Sequence, residues 1–159
     1  MSRNLAKIVL VEDSIALREG LRNMLSEIPG LIVHGEFEAA QDAIRGIDQI
    51  RPDIVILDIG LKSGNGLEVL HHLNQVHPRC TAIVFSNRVD TEYRKQAIHR
   101  GATHVFNKFS ESEQLFDAVA TLVAGHSRAE KSGLAGDVRL QERISWVSSI
   151  ASMGEKQCG

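Results

Sequence analysis

Short apolar runs alternate with helix-periodic segments over the first two thirds of the chain. Runs rich in β-branched residues predict five strands, at 6–11, 31–33, 53–57, 81–85 and 103–106. After each run, apolar residues recur at three- and four-residue spacings. These spacings predict five helices, whose apolar stripes are Leu17, Leu21, Met24 and Leu25; Ala39, Ala43, Ile47 and Ile50; Leu67, Leu70 and Leu73; Tyr93, Ala97 and Ile98; and Leu115, Val119 and Leu122. Strict alternation is typical of a doubly wound α/β fold with five parallel strands and right-handed crossovers.

The ends of the later helices also carry sequence signals. Gly101 is expected to end the fourth helix in a left-handed conformation. Ser110 and Glu113 have the spacing of a capping box at the start of the fifth helix. The helical pattern stops near Gly125, so we expect one domain over residues 5–124.

Residues 125–159 differ in pattern from the domain before them. A polar stretch at 126–136 predicts a linker, and Leu140, Ile144, Val147 and Ala151 predict a short amphipathic helix beside Trp146. We expect this helix to pack on the domain or on a second copy. The segment carries five basic and four acidic residues, and it is too short for a DNA-binding module with its own core.

Composition excludes several classes of protein. The 159 residues include 43% apolar and 24% charged residues, which suits a globular core and not a disordered chain. A net charge of −2 predicts no direct nucleic-acid binding, and the absence of an apolar run near 20 residues predicts no membrane insertion. With no secretory signal pattern and only Cys80 and Cys158, we expect a cytoplasmic protein with reduced thiols.

Charged and polar residues come directly after or just beyond four of the predicted strands. Glu12 and Asp13 follow the first strand, Asp58 the third and Ser86 the fourth, while Lys108 lies just beyond the fifth. The carboxyl ends of parallel strands share one edge of the sheet, where such folds bind ligands, so these side chains are expected to converge. Three neighbouring carboxylates repel one another, and a bound divalent cation removes that repulsion.

Oxygen ligands favour Mg²⁺ at this predicted site. We expect Asp13 and Asp58 to bind the ion directly and Glu12 to act through water. The carbonyl of Gly60, two residues beyond Asp58, would complete the protein's ligands.

The same residue types suit phosphoryl transfer. Asp58 is placed to attack a phosphoryl donor as a carboxylate nucleophile. Lys108 would supply positive charge and Ser86 a hydrogen bond to the phosphoryl oxygens.

Five stretches in order carry a family resemblance: 8–14 (IVLVEDS), 53–59 (DIVILDI), 66–70 (GLEVL), 83–86 (IVFS) and 101–102 (GA) leading to Lys108. Together they resemble the receiver domain of bacterial two-component response regulators, over about residues 5–124. The resemblance implies a flavodoxin-like fold with strand order 2-1-3-4-5. It also implies that Glu12 and Asp13 serve the metal, that Ser86 is the switch hydroxyl and that Lys108 contacts the phosphoryl group.

The resemblance further implies partners. Asp58 would be phosphorylated by a sensor histidine kinase or a histidine phosphotransfer protein. The face formed by the fourth helix, the fifth strand and the fifth helix would then change and meet a downstream protein effector. A homodimer through that face or through the tail is a further expectation.

Four positions depart from the family pattern. Lys62 and Phe109 stand where proline is usual, and Asn87 stands where a small residue is usual. The usual switch aromatic falls at Val105, with Phe106 beside it. A cis bond before a residue other than proline costs about 3–4 kcal/mol, so the Lys108–Phe109 bond is expected to be trans.

Three other interpretations stay open. A pseudo-receiver would bind partners without being phosphorylated. A haloacid-dehalogenase-like phosphatase would carry a second acid two residues after Asp58, where Gly60 stands, so we expect no enzyme beyond slow self-dephosphorylation. A flavodoxin is disfavoured because Glu12 and Asp13 would repel the flavin phosphate. The seven histidines, His71 and His72 among them, are scattered and predict no metal site.

Overall fold

The fold is built on a sheet of five parallel strands. The structure is a computed structural model that describes residues 4–132. Its strands are β1 (Ala6–Val11), β2 (Leu31–Phe37), β3 (Ile54–Leu57), β4 (Thr81–Ser86) and β5 (His104–Asn107). They lie in the order β2-β1-β3-β4-β5, which confirms the predicted fold class and strand order. The predicted tail helix, Trp146 and Cys158 lie outside the described residues.

Five helices cover the sheet on both faces: α1 (Ile15–Ser26), α2 (Ala40–Ile50), α3 (Gly66–Val76), α4 (Thr91–His99) and α5 (Ser112–Ser132). Helices α1 and α5 pack on one face, and α2, α3 and α4 pack on the other. In β1, Ile8 and Leu10 face the first layer, while Val9 and Val11 face the second. The continuous apolar runs of the central strands are therefore buried on both sides.

Side-chain caps begin the two helices that follow the acidic strand ends. The Ser14 hydroxyl accepts a hydrogen bond from the Leu17 N–H at 3.3 Å and begins α1 just after β1. Asn65 Oδ1 accepts one from the Leu67 N–H at 2.9 Å and begins α3. These caps fix where the loops that carry the site residues end.

The edge strand β2 is longer than the predicted run at 31–33. It continues through His34, Gly35 and Glu36 to Phe37, and its register with β1 shifts between Ile8 and Val9. The continuation is paired with β1 through Gly35, Glu36 and Phe37, and only its last residue, Phe37, packs against the core, so the sequence pattern did not show it. An edge strand tolerates polar residues because only part of its surface is covered.

The fifth helix begins and ends later than predicted. It starts at Ser112, and the backbone carbonyl of Glu111 accepts the Leu115 N–H at 3.0 Å, so Ser110 is not its capping residue. It then runs past Gly125 to Ser132, through the first part of the predicted linker. A glycine inside a helix costs only about 1 kcal/mol, which good helix formers around it can offset.

A partly buried ion pair joins α4 to the loop before α5. Arg94 donates two hydrogen bonds to the Glu111 carboxylate, at 3.0 and 2.9 Å, and a third to the Val105 carbonyl at 3.1 Å. Glu111 also accepts the Asn107 N–H at 2.6 Å. This network holds the end of β5, which precedes Lys108, in a defined position.

Across residues 4–132, every helix is too short or too polar to cross a bilayer.

Candidate functional site

The loops after β1, β3 and β5 bring the predicted site residues to one edge of the sheet. Val11 is paired with Leu57, so Glu12 and Asp58 emerge from adjacent strands. The Asp58 N–H donates to the Val11 carbonyl at 2.9 Å, which extends this pairing past the strand end. Beyond β5, Lys108 approaches the same edge.

Lys108 joins two of the acidic side chains directly. Its Nζ donates to Glu12 Oε2 at 2.6 Å and to Asp58 Oδ2 at 2.7 Å. The side chains of all three are at most 10% exposed. A buried lysine between two buried carboxylates offsets their mutual repulsion only in part, because two negative charges face one positive charge.

Asp13 and Gly60 lie beside the Lys108, Glu12 and Asp58 side chains. Asp13 Oδ2 accepts the Lys62 N–H at 3.0 Å, and Asp58 Oδ1 accepts the Gly60 N–H at 3.0 Å. One oxygen from each of Glu12, Asp13 and Asp58 lies within 4.8 Å of the other two. Three converging carboxylates are the donor set expected for a hard dication, so these residues fit Mg²⁺. The Gly60 carbonyl as a fourth ligand stays a prediction.

Ser86 lies at the end of β4 and is 3% exposed. Its carbonyl accepts the Lys108 N–H at 3.1 Å, so β4 positions the backbone of the lysine. Its hydroxyl oxygen accepts the Arg88 N–H at 3.3 Å. The predicted role of this hydroxyl toward a phosphoryl group remains a prediction.

Burial and charge act in opposite directions on the ionisable groups. Burial raises the pKa of Glu12, the charge of Asp58 adds to that rise, and the hydrogen bond from Lys108 opposes it. Burial alone would lower the pKa of Lys108, but hydrogen bonds and charges from Asp58 and Glu12 outweigh it and raise that pKa. Lys108 therefore stays an ammonium group at neutral pH.

Comparison with known proteins identifies the family. A family model described as response regulator receiver domain matches residues 8–120, which include every residue of the site. The chain belongs to this receiver family.

Several curated relatives share the receiver domain and are longer. NarL, the nitrate/nitrite response regulator protein of Escherichia coli strain K12, is 32% identical over 120 residues, which are 76% of this chain and 56% of NarL. The DNA-binding transcriptional activator DevR/DosR of Mycobacterium tuberculosis is 31% identical over 123 residues, which are 77% of this chain and 57% of that protein. The chain thus spans a little over half the length of these relatives.

Solved structures agree with the fold of the receiver domain. A LuxR-family two-component response regulator from Aurantimonas sp. SI85-9A1 has a TM-score of 0.70 and 30% identity, over 76% of this chain and 86% of that one. A LuxR-family DNA-binding response regulator from Staphylococcus aureus has a TM-score of 0.68 and 22% identity, over 75% and 99% of the two chains. The second supports the fold alone.

The departures from the family pattern have visible structural consequences. The Lys108–Phe109 bond is trans, as expected, and Phe109 is 82% exposed next to Lys108. Val105 and Phe106 are both buried but belong to opposite faces of β5. Phe106 packs in the α1 and α5 layer, so its ring does not occupy the position of the usual switch aromatic, which falls at Val105 in the other layer.

Backbone groups that sequence reasoning did not identify hold two of the acids. The Ser14 N–H donates to Glu12 Oε1 at 3.1 Å, and the Lys62 N–H orients Asp13. Any residue type except proline supplies an N–H, so no side-chain signal could have revealed these contacts. Proline, usual in the family at the position of Lys62, would lack this donor.

Proposed function

We propose that the receiver domain is a phosphorylation-controlled switch in which Asp58 is the phosphoacceptor and Glu12, Asp13 and Asp58 hold Mg²⁺. The observation that carries this proposal is the contact of Lys108 with both Glu12 and Asp58 beside Asp13. Membership of the receiver family supports it. The phosphoryl donor would be a sensor histidine kinase or a histidine phosphotransfer protein, acting in the cytoplasm.

The proposed reaction is the transfer of a phosphoryl group to the Asp58 carboxylate. An oxygen of the Asp58 carboxylate forms a bond to phosphorus, and the bond from phosphorus to the donor's leaving atom breaks. The electron pair of that bond stays with the leaving group, which takes up a proton. Mg²⁺, when bound, would neutralise charge on the phosphoryl oxygens. Lys108 lies 2.7 Å from Asp58 Oδ2 and would remain beside the product as a counter-charge.

A change of conformation is the proposed output. Phosphorylation replaces the single negative charge of the Asp58 carboxylate with the about −1.5 to −2 charges of a phosphoryl group, which the existing lysine cannot balance alone. Lys108 follows Asn107, and the Asn107 N–H donates to Glu111, which pairs with Arg94 on α4. A shift of Lys108 toward the phosphoryl group would therefore reach α4 and the start of α5. This face would meet a downstream protein effector or a second copy of the chain.

Two other parts of the proposal concern what the domain does not do. Gly60 stands where a haloacid-dehalogenase-like phosphatase would carry its second acid. We therefore propose no phosphatase activity beyond slow self-dephosphorylation. We also propose that the receiver domain itself does not contact nucleic acid. The matched region covers only 53% and 57% of two relatives named as transcriptional or DNA-binding proteins, so this second statement covers the receiver domain only.

Phosphorylation with a small donor tests the assignment of Asp58. The chain is incubated with Mg²⁺ and acetyl phosphate or phosphoramidate and analysed by intact mass. We expect the mass gain of one phosphoryl group, lost in Asp58→Asn and without added Mg²⁺, and retained in Asp117→Asn, which changes an exposed aspartate of α5. Mg²⁺ binding with no Asp58-dependent mass gain would instead indicate a pseudo-receiver and reject the proposal.

A further inference from the structure

A second cluster of ligand-type side chains lies between α2 and α3, among residues that the receiver site does not use. Asp48 Oδ1 is 2.7 Å from His72 Nε2 and 2.7 Å from His77 Nε2. One potential ligand atom from each of the three residues lies within 4.8 Å of the other two. The histidine side chains are 23% and 15% exposed, whereas that of Asp48 is 45% exposed. The cluster is therefore held by packing on one side and open to solvent on the other.

The end of α3 explains how the two histidines meet. His72 lies within α3, and His77 follows its last residue, Val76. In a continuous helix, residues five apart point about 140° away from each other. His77 leaves the helical conformation, with φ −127° and ψ 62°, while its N–H still donates to the Leu73 carbonyl at 2.8 Å. This turn brings its ring to 5.8 Å from the His72 ring, measured between centroids.

The geometry points to a metal-binding site. We propose that Asp48, His72 and His77 bind a divalent transition-metal ion of the zinc type, with one coordination position left for water or for a ligand from another molecule. Imidazole nitrogen favours such ions over Mg²⁺. Two histidines and one carboxylate with an open fourth position are a common zinc donor set. With bonds of about 2.0–2.2 Å, ligand atoms in a tetrahedral zinc site lie about 3.4 Å apart. That separation falls between the 2.7 Å contacts and the 4.8 Å limit, so only small side-chain movements are needed.

Metal binding would change the proton positions and the charge of the Asp48, His72 and His77 cluster. Asp48 Oδ1 is an acceptor, so each Nε2 carries a proton when it contacts that oxygen. For a metal ion to bind, the single proton of each neutral ring moves from Nε2 to Nδ1, and Nε2 offers its electron pair to the ion. The formal charge of the three side chains changes from −1 without the ion to +1 with it.

A purely structural bridge between α2 and α3 is the competing explanation. It would need the same three residues and would stabilise the fold, but its contribution would not depend on added metal. Metal-dependent measurements on matched variants therefore separate the two explanations.

Zinc titration of the full 159-residue chain, without a histidine tag, is the direct experiment. Calorimetry is carried out with Zn²⁺ after chelator treatment, in excess Mg²⁺ so that the Glu12, Asp13 and Asp58 cluster is occupied. We expect one Zn²⁺ per chain. Asp48→Asn, His72→Gln and His77→Gln should each weaken binding by more than the ~10–100-fold lost with a second-shell partner. His71→Gln, which changes the neighbouring exposed histidine, should bind like the unaltered chain.

Two further measurements keep the test decisive if a variant is less stable. The visible spectrum of the Co²⁺ form reports ligand number and imidazole coordination in the unaltered chain. The unfolding temperature should rise with Zn²⁺ in the unaltered chain and in His71→Gln, and should not rise in the three ligand variants, whatever their metal-free values. No saturable Zn²⁺ binding, or binding weakened equally by His71→Gln, would overturn the proposal. Its outcome is independent of the phosphorylation test at Asp58.

Discussion

Lys108 is the single residue on which the metal-free acidic site most depends. It contacts both Glu12 and Asp58. Among the ion pairs that the structure describes, neither carboxylate has another cationic partner. Its removal leaves two buried negative charges side by side. A lysine considered in isolation is most often an ordinary surface residue, and the buried contacts with Glu12 and Asp58 distinguish Lys108 from that case.

Lys108→Ala should lower the free energy of unfolding by about 3–5 kcal/mol in the presence of a chelator. Removing one partner of a buried ion pair leaves the charge of the other partner buried and uncompensated. Urea unfolding of the variant and the unaltered chain measures this loss. Added Mg²⁺ should recover part of it by supplying the missing positive charge. Lys62→Ala is the matched control, since only the backbone of that exposed lysine contacts the site. Equal losses in the two variants would contradict this account of Lys108.

Cys80 provides a prediction about pH. Burial, with a smaller effect from the charge of Asp53, raises the pKa of its thiol from 9.0 to about 12. The folded state therefore favours the protonated thiol. This contribution to stability is complete below about pH 9 and is lost as the pH rises toward 12.

Thiol labelling at pH 8 should therefore be slow in the folded chain. With a pKa near 12, only ~10⁻⁴ of the thiol is ionised at that pH. A Cys158→Ser variant lets the reagent report on Cys80 alone. We expect labelling to accelerate by orders of magnitude when guanidinium unfolds the chain. Rapid labelling of the folded variant at pH 8 would show that Cys80 is not held as the structure indicates.

At the scale of elements, Gly66 and Gly20 show how context decides what a helix glycine does. A Cβ added at Gly66, the first residue of α3, would lie 2.4 Å from the Asp58 carbonyl oxygen and 2.5 Å from the Ile59 Cα. The close approach of α3 to the backbone of Asp58 and Ile59 therefore requires glycine. A Cβ at Gly20, inside α1, would meet nothing within 4 Å.

Alanine at these two positions should have opposite effects. Gly20→Ala should raise the free energy of unfolding by about 0.5–1 kcal/mol, since alanine loses less backbone entropy in a helix. Gly66→Ala should lower it by about 1–3 kcal/mol through steric overlap with backbone atoms. It should also slow phosphorylation of Asp58, because the loop must move. Chemical denaturation and the intact-mass assay measure both effects, and a neutral Gly66→Ala would be inconsistent with the close approach.

Periodicity predicted the ends of the helices and strands less well than their existence. Apolar spacing identified all five strands and all five helices, because burial on one face imposes it. The extension of β2 to Phe37 depends on pairing with β1, and the extension of α5 past Gly125 depends on helix formers that show no apolar stripe. Neither cause leaves a periodic signal.

At the scale of the whole molecule, Mg²⁺ binding should raise the free energy of unfolding. If Mg²⁺ binds the folded acidic cluster and not the unfolded chain, it stabilises the fold by ~2.7 kcal/mol at a hundredfold excess over its dissociation constant. Thermal unfolding over a series of Mg²⁺ concentrations measures this. Asp13→Asn should abolish most of the increase, whereas Asp117→Asn should retain it. An unfolding temperature that does not respond to Mg²⁺ in the unaltered chain would argue against the proposed ligands.

The sequence by itself determined the fold class and most of the receiver site. Alternating apolar runs determine the layers, and residues placed directly after strands must meet at the carboxyl edge of a parallel sheet. Glu12, Asp13, Asp58 and Lys108 could be selected in this way because strand ends have a fixed relation to each other. The family resemblance added the strand order, which periodicity does not contain.

Only the tertiary structure brought Asp48, His72 and His77 together. Asp48 lies on a different helix from the histidines, and a spacing of five residues places side chains on different sides of a regular helix. Their convergence depends on the packing of α2 beside α3 and on one non-helical residue at the end of α3. Contacts between helices that depend on such local deviations are set by three-dimensional packing, because no periodic pattern in the chain encodes them.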